Sequence, residues 1–144
     1  MAQILDTVLV TGSHEWEDVG KISDELITIE AIVPIDPSCL RLVHGGCRGA
    51  DFWAARIAAN RGWTVVVYNA RWKKEGRAAG PLRNKRMLNE NVERLICVLS
   101  FGDLSVCQGT KQCTDLAKAQ LRKNSTQQWF VRNIFPSSAQ TKPS

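Results

Sequence analysis

Two periods alternate along the chain. Runs of β-branched and apolar residues, the mark of strands, are followed by segments whose apolar positions recur every three or four residues, the mark of amphipathic helices. Ile4–Thr11 (ILDTVLVT) reads as a first strand, closed by Gly12-Ser13. From Trp16 to Ile32 the apolar residues Val19, Ile22, Leu26 and Ile29 keep to one helical face, and Pro34 predicts the stop. Leu40–His44 is a short strand ending in Gly45-Gly46. Ala50, Trp53, Ala54, Ile57 and Ala58 then stand at helical spacing, with Gly62 as terminator. Thr64–Tyr68 (TVVVY) is an unbroken apolar run, which predicts a strand buried on both faces of a parallel sheet. Gly80 is expected as the N-cap of a helix through about Val92, with Pro81 at its first position. Leu95–Leu99 forms a further strand, and Gly109-Thr110 opens a helix that buries Cys113, Leu116, Ala117 and Leu121. Trp129–Arg132 reads as an edge strand.

Strand and helix in alternation imply an α/β fold, a doubly wound and mostly parallel sheet of about five strands in three layers. A single domain is expected over residues 1–135. Residues 136–144, rich in Ser, Gln, Thr and Pro, read as a flexible tail.

Composition narrows the class. With 44% hydrophobic and 23% charged residues in 144, the chain is an ordinary globular one. No apolar run reaches the ~18 residues of a membrane span, and Met1–Thr11 has no secretory pattern, so a cytoplasmic location without membrane attachment is expected. Five cysteines, odd in number and without a C-x-x-C pair, read as reduced thiols rather than a disulfide framework or a zinc site. His14 and His44 are isolated from each other and no cluster has metal-ligand spacing, so neither metal nor cofactor is expected.

The charge is concentrated. Arg71, Lys73, Lys74, Arg77, Arg83, Lys85 and Arg86 face one acid, Glu75, so this segment holds +6 where the whole chain holds +5. Such a segment fits a polyanion: phosphates on a small ligand, or nucleic acid.

In parallel α/β sheets ligands bind beyond the carboxyl ends of the strands, where glycine turns feed helix N-termini. That rule singles out Thr11, Gly12, Ser13 and His14; Gly45, Gly46, Arg48, Gly49 and Asp51; Gly80, Arg83 and Asn84; and Gly109 with Thr110. The glycine turns expose backbone N–H groups to phosphate oxygens, although their spacing is neither G-x-G-x-x-G nor a P-loop. Arg83, expected in the first turn of its helix, is a cation where the macrodipole disfavours one by about 0.3–1 kcal/mol, a misfit that a bound anion would remove. Asp51 has two readings, a carboxylate stabilising its helix start or a contact to a ribose. Trp72, in the basic loop, is placed to stack on a base.

Four segments carry a resemblance: V-L-V-T-G-S-H-x-W at Val8–Trp16, V-H-G-G-C-R-G-A-D-x-W-A-A at Val43–Ala55, N-A-R-W-K-K-E-G-R-A-A-G-P-L-R-N-K-R-M-L at Asn69–Leu88, and Gly109-Thr110. In order and spacing the sequence resembles the SLOG superfamily of DprA-type and LOG-type Rossmann-like proteins, most closely its short YspA-like branch. The resemblance implies a Rossmann-like domain that binds a nucleotide or nucleotide-derived ligand, and a homo-oligomer by analogy. LOG-type members cleave the N-glycosidic bond of a nucleoside monophosphate with an arginine and a glutamate in P-G-G-x-G-T-x-x-E. Here the position of that glutamate is Cys113, and His14 stands where the family has an arginine after the first glycine turn. Asp51 is then the expected catalytic carboxylate if cleavage occurs. The expected function is binding of a nucleotide or nucleotide-derived ligand, ADP-ribose-type signalling molecules among the candidates, as a sensor or sequestering protein. An N-glycosidase is the first alternative and a DprA-like nucleic-acid binder the second.

Overall fold

The computed structural model describes residues 5–33, 35–124 and 126–137. Ile4, Pro34 and the tail beyond Ser137, on which three of these expectations fall, lie outside them. Five strands, β1 (Asp6–Gly12), β2 (Leu40–His44), β3 (Thr64–Val67), β4 (Leu95–Phe101) and β5 (Phe130–Ile134), form one all-parallel sheet in the order β3-β2-β1-β4-β5. Helices α1 (Val19–Ile32) and α2 (Ala50–Asn60) cover one face. The short α3 (Trp72–Glu75) and a 3₁₀ turn at Gly76–Ala78 lead into α4 (Ala79–Asn91), which covers the other face together with α5 (Gln108–Lys123). This is the expected Rossmann-like, three-layer fold.

Alternation along β1 builds both cores from one strand. Val8 and Val10 point to α1 and α2 and pack with Ile22, Leu26, Leu42 and Ala54. Leu9, between them, joins Val43, Met87, Val98 and Ala117 under α4 and α5. Being central, β1 is buried from Thr7 to Gly12.

Several boundaries and placements differ from expectation. Thr64–Val67 is an edge strand with Thr64 and Val67 exposed, not one buried on both faces. A β-branched run specifies a strand but not its rank in the sheet. Helix α1 starts at Val19, because the Asp18 side chain caps it by accepting from the Lys21 N–H at 3.1 Å. Trp16 instead lies buried outside the helix, edge-on to Phe101, its Nε1–H donating to the Asp18 carbonyl at 2.8 Å. Helix α4 begins at Ala79, not after Gly80, because the 3₁₀ turn has already wound the chain. Pro81 still falls among the first four helical residues, whose N–H groups have no partner within the helix. At the carboxyl end of the described chain, Ser137 Oγ donates to Asp18 Oδ2 at 2.7 Å and Lys21 Nζ to the Phe135 carbonyl at 2.9 Å.

Candidate functional site

The strand order reverses at β1. The chain builds β1, β2 and β3 outward to one side, then crosses back to lay β4 on the other side of β1. Loops leaving the carboxyl ends of β1 and β4 must therefore diverge to opposite faces, and a crevice opens between them. A cavity of about 690 Å³ occupies this position, well within the range of small-molecule sites.

Each wall follows from a local reason. After β1, Thr11, Gly12, Ser13 and His14 line the cavity. Ser13 fixes the loop: its N–H donates to the Phe101 carbonyl at 2.7 Å, and its carbonyl accepts from the Ala50 N–H at 3.1 Å. After β2 come Gly45 and Asp51, from α4 Arg83 and Asn84, and from α5 Gly109 and Thr110. Gly49 lies behind the wall. Its φ of +79° suits glycine, and a Cβ there would overlap the Ser13–His14 backbone.

The Gly45 peptide is clamped from both sides. Its N–H donates to Asp51 Oδ2 at 2.9 Å, and its carbonyl accepts from Arg83 Nη1 at 2.5 Å. Arg83 is buried, and it also donates from Nη1 to the Tyr68 carbonyl at 3.3 Å and from Nε to Asn84 Oδ1 at 2.7 Å. Asn84 in turn donates to Gln112 Oε1 at 2.8 Å, joining α4 to α5. A Cβ on Gly45 would collide with this guanidinium, which is why glycine stands there. The helix-dipole argument for Arg83 is thereby corrected. It is the fifth residue of α4, beyond the first turn, and what distinguishes it is burial against two carbonyls and an amide oxygen.

Burial dominates the titration of the site. Loss of water pushes the Asp51 carboxyl up to about 6, against the opposing pull of the Gly45 and Cys47 N–H groups and the Arg83 charge. Burial and the Arg83 charge hold His44 below its ordinary value, and its Nδ1 accepts from the Gly46 N–H at 3.0 Å. Cys113, where LOG-type proteins have their glutamate, is a buried thiol pushed up to about 12. It offers no substitute carboxylate.

Some sequence-derived candidates stand elsewhere. Gly46, Arg48, Gly49, Trp72 and Gly80 are not among the cavity's lining residues. Arg48 is exposed and pairs with Glu15 at 2.7 Å. Trp72 is 62% exposed at the start of α3. Of the seven cations between Arg71 and Arg86, only Arg83 reaches the cavity.

Sequence reasoning missed the loop after β4, which brings Gly102, Asp103, Val106 and Cys107 to the cavity, together with Glu15, Trp16, Cys47 and Met87. Gly102 was a usable signal, a glycine directly after the β4 run, but ending that strand at Leu99 hid it. Asp51 is consequently not the only carboxylate present. Glu15 faces Arg48, and Asp103 Oδ1 accepts from the Ser105 N–H and Oγ at 2.9 and 2.6 Å. Among the described residues three acids and one arginine line the space. Contrary to expectation, the turns do not leave their N–H groups open: Ser13, Gly45, Gly46 and Gly102 already donate, to the Phe101 carbonyl, Asp51 Oδ2, His44 Nδ1 and the Ile134 carbonyl. Negative charge on a ligand would therefore be met by the positive start of α5 rather than by the glycine turns or by lysines. Among the described residues no three His, Cys, Asp or Glu side chains converge on a metal position, and no helix is long and apolar enough to cross a membrane.

Fold, switch-point cavity and glycine turns define a Rossmann-like domain with its cavity at the position where such sheets take ligands. The chain belongs to the YspA, cpYpsA-related SLOG family, whose sequence model matches residues 7–74, from β1 through the turns at Gly12 and Gly45 to α3. It is similar to Gene 61 protein of Mycobacterium phage D29, with 36% identity over 111 residues, 74% of this chain and 83% of that relative. No solved structure matches significantly.

Proposed function

We propose that the protein binds a nucleotide or nucleotide-derived ligand of the ADP-ribose type in the cavity between the β1 and β4 loops, as a sensor or sequestering protein. The observation that carries this reading is the cavity at the β1/β4 switch point, walled by the Gly12-Ser13-His14 loop and the start of α5. Family membership points to the same ligand class. Binding rather than turnover is favoured by the state of the charged groups, since Asp51 and Arg83 are both engaged with the Gly45 peptide. Similarity to a phage protein suits action in the cytoplasm of a host cell. The test is mass spectrometry of whatever small molecule copurifies with the protein, followed by calorimetry with a panel of nucleotides. Saturable binding without chemical change supports the reading, and absence of any nucleotide binding overturns it.

One observation favours the N-glycosidase as second reading. Asp51 is a buried carboxyl raised to about 6 on the wall of the cavity, the condition of a group that exchanges a proton near neutrality. Release of free base that disappears in Asp51→Asn supports it. Undiminished release by that variant excludes Asp51.

A further inference from the structure

The cavity leaves most of the basic segment unused. Arg83 is inside it, and Arg86 is tied down, with Nη2 donating to the Asn69 carbonyl at 3.2 Å and Nη1 standing 3.7 Å from Glu75. Arg71, Lys73, Lys74, Arg77 and Lys85 remain, all exposed. Among the described residues, the side chains of these five take part in no ion pair and no hydrogen bond. Five cations on α3, the 3₁₀ turn and the middle of α4 repel one another, and the acids beside them are few: Glu75 and Glu90, which share a surface hollow with Arg71 and Lys85.

Trp72 stands among them. A tryptophan normally contributes most when covered, yet this indole is 62% exposed. One end of it lies beside Gly80 of α4, where an added Cβ would stand 3.5 Å from its Cη2. It is therefore an exposed aromatic surface in a segment of exposed cations, with Arg71 and Lys73 its immediate neighbours in sequence. Phosphate charge alone would use the lysines and arginines but not the indole. The acidic side chains of a peptide would satisfy the cations without using the indole, and a duplex hides its base faces inside. A membrane surface would need an apolar helical face, which the four-residue α3 does not provide. Single-stranded nucleic acid presents both features at once, a chain of phosphates and unstacked bases.

We propose that the exposed surface formed by Trp72 with Arg71, Lys73, Lys74, Arg77 and Lys85 docks single-stranded nucleic acid, separately from the cavity. The backbone runs past the cations and a base stacks on Trp72. Binding is independent of sequence and steep in salt.

Fluorescence anisotropy of the intact protein with a labelled oligothymidylate of about 20 nucleotides, longer than the span of one small domain, tests this between low and physiological salt. The triple variant Lys73→Gln/Lys74→Gln/Arg77→Gln is expected to flatten the slope of log K against log salt by about 2, at about 0.7 for each phosphate that is no longer neutralised. Trp72→Ala is expected to weaken binding on the order of tenfold or more, with Trp72→Phe recovering most of the loss and melting temperatures unchanged in all three. No association at low salt, binding indifferent to Trp72→Ala, or equal competition by polyglutamate at matched charge would each overturn the proposal. So would a duplex that binds as tightly as the single strand.

Discussion

Replacing Asp51 by asparagine removes a proton-binding group that folding perturbs, and the effect on stability has a definite sign. In the unfolded chain Asp51 titrates near its ordinary value of 3.8, whereas in the folded protein burial moves it up to about 6. Between those two pH values the folded state keeps a proton that the unfolded state has released. Stability from this group is therefore greatest at the acid end and falls as pH rises through the window, levelling off above about 6. At about 1.4 kcal/mol per pKa unit, the rise corresponds to about 3 kcal/mol, or roughly 6–12 °C in melting temperature for a chain of this size. Asparagine can still accept from the Gly45 N–H, but it has one acceptor oxygen where aspartate has two, so the absolute stability of Asp51→Asn mixes two effects. The pH dependence of the difference between the two proteins does not. His44, held below its ordinary value, loses stability in the opposite sense as pH falls, and it is present in both proteins and cancels. The assay is thermal melting of wild type and Asp51→Asn from pH 4 to 8. Relative to the variant, wild type should lose about 2.4 kcal/mol of that total between pH 4 and 7, because at pH 4 the unfolded carboxyl is already more than half ionised. Parallel curves, or wild type gaining on the variant as pH rises, would refute the assignment of Asp51 as a carboxyl whose charged form the fold disfavours.

Arg83→Ala strips the Gly45 and Tyr68 carbonyls and Asn84 Oδ1 of a shared buried donor, so the ligand-free protein should lose on the order of 3 kcal/mol, read as a fall of roughly 6–12 °C on melting. Gly49→Ala forces a side chain into the left-handed region and onto the Ser13–His14 backbone; a loss of more than about 1 kcal/mol in chemical denaturation is expected, with an unchanged midpoint as the contrary result. A nucleotide present at about 100 times its Kd should raise the melting temperature by roughly 5–11 °C through mass action, and a panel of nucleotides giving no rise would count against the cavity as their site.

How much was legible in the sequence follows from which properties are local. The period of apolar residues is local, so β1, β2, β4, α2 and α5 were readable to within a few residues, and the glycine turns placed Gly12, Gly45 and Gly109 at one edge of the sheet. The motifs of the SLOG family were readable for the same reason, each lying within a short stretch of chain. Neighbourhood in space is not local. Val65 and Val66 read as interior to the sheet, yet the crossover from β3 to β4 leaves their strand at an edge. Seven cations close in sequence read as one polyanion-binding segment, but the turn from α3 into α4 sends Arg83 inward and five of the others to the surface. The state of Asp51 was beyond any pattern, because the rise in its pKa comes from water excluded by α2, α4 and the Gly45 turn packing together, and only the closed tertiary structure excludes it.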